Sequence, residues 1–218
     1  MGARHALDPD HLAAVSVLAA DAPGARRGAL LGAMWGLGHA IALLATGLVV
    51  AALAADLPPA LCDAFELVVA VMLVILGGRA VRRAFRDGDR GPSMLHAHRG
   101  VAHVHPGLGT HVHMAKRALA LRPLIVGVVH GLAGSGALTA LVLTTLPSIG
   151  SQLAYVLLFG LGSTLGMAAL SAILGWPLAR LSTRHVAARA MSLVVGCMSA
   201  GLGLAWGYPL LAQIFRPS

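Results

Sequence analysis

The chain carries one pattern twice. Residues 5–18, HALDPDHLAAVSVL, align with residues 130–143, HGLAGSGALTALVL, so that His5 falls on His130, Leu7 on Leu132 and Asp10 on Ser135. Trp35-Gly36-Leu37-Gly38-His39 falls on Phe159-Gly160-Leu161-Gly162-Ser163, and ELVVAVMLVILG (66–77) falls on SLVVGCMSAGLG (192–203). The offsets are 125, 124 and 126 residues, in the same order along the chain, which is the mark of an internal duplication. Each copy holds three apolar stretches. Three is odd, so a second copy threaded through a bilayer must cross in the opposite sense to the first. Inverted repeats of this kind are common in proteins that move solutes, with the site at the repeat interface near the midplane.

A bilayer is required by composition. Of 218 residues, 57% are hydrophobic and 11% charged, and the mean hydropathy is +0.80. Soluble domains average about 25% charged residues, so this chain has too few charges to cover a water-facing surface. The apolar segments run over approximately 5–20, 28–54, 60–80, 121–146, 150–178 and 187–213. A helical span needs about 20 apolar residues, and only the first segment falls short. Either that helix is short or the natural start lies upstream of Met1. No basic stretch followed by an apolar one opens the chain, so a cleaved secretory signal is not expected. The expected fold is an all-α membrane protein with six transmembrane helices in two inverted three-helix repeats, 1–86 and 119–218, joined by a His-rich loop at 87–118.

Charge fixes the orientation. Arg26, Arg27, the Lys and Arg residues from Arg79 to Arg122, and Arg180, Arg184 and Arg189 fall on one side, with only Arg4 and Arg216 on the other. The positive-inside rule places the loop in the cytoplasm and both termini outside, in a bacterial inner membrane. Tyr155, Trp206 and Tyr208 fall near outer boundaries and Trp176 near an inner one. The formal net charge of +8 does not imply nucleic acid, because the basic residues flank apolar helices with no aromatic platform beside them. Cys62 and Cys197 occupy non-equivalent positions and form no CxxC pattern, so they read as small apolar side chains.

Asp8, Asp10 and His11 are the polar residues hardest to explain by packing. The chain has eight acidic residues, and only Asp8 and Asp10 sit inside a helical repeat unit beside histidines. Ionisable groups at membrane depth are costly and mark functional sites by default. Asp8 also suits the N-cap of a helix with Pro9 at its first position. On a continuous helix, His5 and His11 would point about 120° apart. A break at Asp8-Pro9 removes that constraint, because Pro9 cannot donate to the helical ladder. The equivalent stretch, Ala133-Gly134-Ser135-Gly136, is also helix-weakening, and paired interruptions point to a binding site. His39 follows Gly36 and Gly38, which permit close helix approach, and His130 lies in the fourth apolar segment. Imidazole with carboxylate and no thiolate suits Ni(II), Co(II) or Zn(II) better than Mg(II) or Ca(II). His96, His98, His103, His105, His111 and His113 form three H-x-H pairs in the central loop, a pattern that captures metal loosely.

These residues resemble a known family. HALDPDH matches the H-x4-D-H signature of the nickel/cobalt transporter superfamily through His5, Asp10 and His11, and WGLGHAIAL is similar to its second motif through His39. VVHGLAGSGAL and FGLGSTLGM look like the six-helix branch that includes urease accessory membrane proteins. The resemblance spans nearly the whole chain outside the His-rich loop, and implies a helical permease for Ni(II) or Co(II). Where larger nickel permeases carry acidic and threonine residues, this chain has Gly134-Ser135-Gly136 and Ser163-Thr164, so its second repeat offers His130 and hydroxyls without a carboxylate.

Three functions compete. The first is a permease for a divalent metal with His5, Asp10, His11 and His39 as ligands and Asp8, His130, Ser135 and Ser163 completing or gating the site. The second is a carrier of a small anion, which would favour helix N-termini and the missing acids, or of reducing equivalents, which the cysteine positions disfavour. The third is a non-transporting accessory protein that docks nickel-enzyme maturation proteins through its loop. No G-x4-G-K-[ST] motif is present, and no nucleophile arrangement suggests an enzyme. No permanently bound cofactor is expected, only the transported ion.

Overall fold

The computed structural model describes residues 1–21, 24–53, 58–88, 96–98, 101–103, 121–133, 146, 148–181 and 185–214. Among these residues the chain is almost wholly helical. The helices are α1 (Gly2–His5), α2 (Pro9–Asp21), α3 (Ala25–Leu53), α4 (Pro59–Gly88), α5 (Leu121–Ala133), α6 (Ile149–Leu181) and α7 (His185–Ile214). Four of them, α3, α4, α6 and α7, are long and apolar enough to cross a membrane. Their outer faces remain apolar: Leu158, Leu165, Ile173, Val194, Met198 and Leu204 are all exposed. In water such patches would drive association; in lipid they are the expected outer surface, and the chain is built as an integral membrane protein.

The first apolar segment differs from an unbroken span. It divides into α1 and α2, with Pro9 at the first position of α2. Asp8 sits at the cap position, and its carbonyl accepts from the Leu12 amide at 2.9 Å. With 13 residues, α2 is about 20 Å long, too short to span. It lies in the middle of the bundle, touching α3, α4, α6 and α7. Its Ala14, Val15, Val17 and Leu18 form the core with Trp35, Val69, Leu73, Val126 and Met167.

The long helices pair as α3 with α6 and α4 with α7. In lipid the hydrophobic effect does not drive helices together, so close backbone contact must do so. Gly28, Gly32 and Gly36 repeat every four residues on α3, and a Cβ at any of them would clash with the α6 backbone at Ser171, Met167 or Thr164. Gly77 faces Gly196 and Ala200 across the second pair, where the Ser199 hydroxyl donates to the Leu73 carbonyl at 3.0 Å.

Two features go beyond the hydropathy pattern. The third apolar segment ends near residue 80, but its helix α4 continues to Gly88, carrying Arg79, Arg82, Arg83 and Arg86. Arginine is a good helix former, and no breaker intervenes before that glycine. Within the His-rich loop the described residues form two short strands. His96–His98 and Val101–His103 form antiparallel strands β1 and β2, pairing His96 with His103. The rest of that stretch lies outside the described residues.

Candidate metal centre

The interruption between α1 and α2 sets the site. The chain turns through Ala6 and Leu7, with the Leu7 amide bonded to the Arg4 carbonyl and the Asp8 amide to the His5 carbonyl. This folds His5 back over α2, so its ring lies 4.5 Å from that of His11. His5 Nδ1 is 2.7 Å from the Asp8 carboxylate, which holds the ring. Asp8 therefore acts through its side chain on His5 as well as standing at the helix cap.

His39 arrives from α3, with ring centroids 5.1 Å from His5 and 5.4 Å from His11. Its approach depends on glycine. A Cβ on Gly38 would lie 2.1 Å from the Leu124 carbonyl of α5, and one on Gly131 would lie 2.6 Å from the His39 carbonyl. The same contact brings His130 of α5 to 4.2 Å from the His11 ring.

Two groups of possible ligands result, and they share one residue. His5, His11 and His39 place ligand atoms within 4.8 Å of one another, and so do Asp10, His11 and His130. A metal held at about 2.1 Å from each nitrogen needs its ligands within about 4.2 Å of each other, a small side-chain adjustment away. Asp10 uses both oxygens: one is 3.1 Å from His11 Nδ1 and the other 2.5 Å from His130 Nε2. Carboxylates in this position fix a histidine's tautomer and leave its other nitrogen free to ligate.

Several ring nitrogens of these groups have no partner among the described residues. Both nitrogens of His39, Nε2 of His11 and Nδ1 of His130 are buried there without a hydrogen bond. Unsatisfied buried polar groups are expensive and uncommon, and a group of them on converging imidazoles marks a place for a cation. Exposure falls steeply inward: the Asp8 side chain is 50% exposed and that of His5 21%, whereas His11 is 1% and His39 0%. A cleft of about 500 Å³ lined by Met1, Arg4, His5, Leu7, Asp8, Tyr155 and Phe159 opens onto the His5 end.

The other candidates fall as follows. Ser163 is fully buried, but its hydroxyl donates to the Gly160 carbonyl at 3.1 Å within α6, beneath the close contact of Gly2. Ser135, His105, His111 and His113 lie outside the described residues, and His96, His98 and His103 lie in the two strands. Cys62 and Cys197 are free thiols.

Two aromatic residues of the site escaped sequence reasoning. Trp35 packs 5.3 Å from His11 and 5.7 Å from His130, and Phe159 lies 5.3 Å from His5. The signal was present: Trp35 precedes His39 by four residues, one turn away on the same helix face, and Phe159 is its counterpart in the second copy. Each aromatic lies against a histidine from the other half of the chain.

No family model and no solved structure matches the chain. It is similar to the urease accessory protein UreH of Bacillus sp. (strain TB-90), 30% identical over 211 residues, covering 96% of this chain and 88% of the relative. The chain belongs to the UreH family of urease accessory proteins. Such coverage takes in the glycine-packed α3 and the His130 helix.

Proposed function

We propose that this UreH-family chain is a permease for a divalent transition metal, with Ni(II) or Co(II) as cargo. The observation that carries this reading is the convergence of His5, His11 and His39 from three helices, with Nε2 of His11 and both nitrogens of His39 buried and without a hydrogen bond among the described residues. Imidazole-rich sites suit nickel and its neighbours, and the likeness to a urease accessory protein supports the reading. In this reading His5, His11 and His39 ligate the ion, Asp10 fixes His11 and His130, and Asp8 fixes His5 at the mouth of the cleft. His96, His98, His103, His105, His111 and His113 would take the ion on the cytoplasmic side.

The architecture proposed for this task is two inverted repeats, with α1–α2, α3 and α4 forming one and α5, α6 and α7 the other. The equivalents α3 and α6 pack on each other, as do α4 and α7. The crossed contacts, Trp35 with His130 and Phe159 with His5, fit a pseudo-two-fold axis through the site. Helices α2 and α5 would then be the short, interrupted elements that build a transporter's binding site.

The test is flux into proteoliposomes containing the purified chain. Ni(II) or Co(II) should accumulate against protein-free controls, and His39→Gln should remove the accumulation. Flux of a small anion without metal flux would move the function to the anion carrier. Tight metal binding without any flux would leave the non-transporting accessory role, with the loop as its docking element.

A further inference from the structure

The two ligand groups share His11, and the two edges of its ring have different surroundings. Nδ1 faces Asp10 and, through it, His130; Nε2 is the buried nitrogen without a partner. We propose that the cargo ion occupies two positions in turn, one at His5, His11 and His39 and one at Asp10, His11 and His130, and that the His11 imidazole is the pivot between them. The proposal rests on the permease reading above and specifies the path within that site.

Three observations carry it. First, the positions differ in access. His5 borders the open cleft, whereas His130 is buried under Trp35 on the far side of His11. Second, the ligands come from different parts of the chain. The first position draws on α1, α2 and α3, and the second on α2 and α5, so a relative movement of α2 against the packed α3–α5 pair changes the two positions differently. Third, a neutral imidazole has one lone pair. An ion on Nε2 requires the proton on Nδ1, where it is donated to Asp10; an ion on Nδ1 requires the proton on Nε2. The two positions therefore exclude each other through His11, and one ion is held at a time. His11 carries the same number of protons in both states.

The second position also explains the short contact network of Asp10. With the ion at His5, His11 and His39, the carboxylate stabilises the Nδ1 proton of His11. With the ion on the other edge, the same carboxylate supplies the negative charge that the first position lacks.

Trp35 is a local reporter, because its ring touches both His11 and His130. In the full chain carrying Trp176→Phe and Trp206→Phe, Co(II) in the site should quench the remaining tryptophan, while Co(II) on the His-rich loop should not. His39→Gln and His130→Gln should each retain saturable quenching, weakened by no more than about 100-fold. His11→Gln and the double variant should lose it. His130→Gln should also lose flux at least about tenfold while still binding. Loss of quenching in either single variant would mean one undivided site, and normal flux in His130→Gln would mean that the second position is unused. Both overturn the proposal, as does quenching that survives His11→Gln. A structure of the unsubstituted chain soaked in Co(II) needs no variant to fold: anomalous density divided between the two edges of the His11 ring is expected, and a single peak is the contrary result. If the binding results hold while the wild-type chain shows no flux, the permease reading fails and the two positions stand.

Discussion

At the residue scale, the centre depends on a division of labour between imidazoles and carboxylates. Among the described residues His39 has no hydrogen-bond partner for either nitrogen, so replacing it would remove a proposed ligand and leave little else unsatisfied. His39→Gln is expected to lower nickel and cobalt accumulation by at least about tenfold while the protein still inserts. Asp10 acts on two rings at once, and losing such a carboxylate typically costs 10–100-fold in metal affinity, about 1.4–2.7 kcal/mol. Asp10→Asn keeps the size and removes the charge, so metal affinity measured on purified protein should fall within that range. Cys62→Ser should leave accumulation unchanged, since this thiol stands on α4 away from the ligand groups. Equal activity of Asp10→Asn and the wild type would place the site elsewhere.

At the scale of elements, glycine position decides whether the site can close. Gly38 and Gly127 lie at the α3–α5 contact, where an added Cβ would come within 2.1 Å of the Leu124 carbonyl and 2.0 Å of the Trp35 carbonyl. Backbone cannot yield as a flexible side chain does, so Gly38→Ala and Gly127→Ala should each destabilise by about 1–3 kcal/mol. Thermal unfolding in detergent should show a lower midpoint for both. Gly78 and Gly201 provide the control, since a Cβ at either meets nothing within 4 Å. Alanine there should leave the midpoint unchanged or raise it, in line with a helix preference of up to about 1 kcal/mol. Were all four alanine variants alike, close backbone approach would not be what holds α3 in place. Helix α6 shows the same logic at its other end, where Arg180 lies 4.0 Å over the Trp176 ring and keeps its charge at an aromatic boundary.

For the whole molecule, orientation and the His-rich loop can be tested apart from the metal centre. With Cys62→Ser and Cys197→Ser as background, Ser148→Cys should react with an impermeant maleimide added outside intact cells. Arg86→Cys should react only after permeabilisation. The reverse pattern would invert the topology and place the cleft at Tyr155 and Phe159 on the cytoplasmic face. Deleting residues 93–115 removes all six loop histidines. The deletion should change cellular sensitivity to nickel while membrane expression stays near the wild-type level. Lost expression would mean that this stretch is needed for assembly.

The sequence by itself determined what is local or periodic. Six apolar stretches, the duplication, the break at Asp8-Pro9 and the unusual company of His5, Asp10, His11 and His39 can all be read from spacing. Each depends on residues within a few turns of one another, or on a pattern seen twice. The extension of α4 to Gly88 was hidden because hydropathy falls at Arg79 while helix propensity does not. Only the tertiary structure decided how the candidates divide their roles. Asp10 and His130 are separated by 120 residues, and nothing in their spacing says that one carboxylate bridges two imidazoles. Nor does it say which edge of His11 is left unpartnered, or that Trp35 and Phe159 wall the site from opposite copies. Sequence fixes the face a residue takes on its own helix, whereas the meeting of faces depends on glycine contacts between helices far apart in the chain. Those contacts set the positions of nitrogen atoms to within the few ångströms on which metal binding turns.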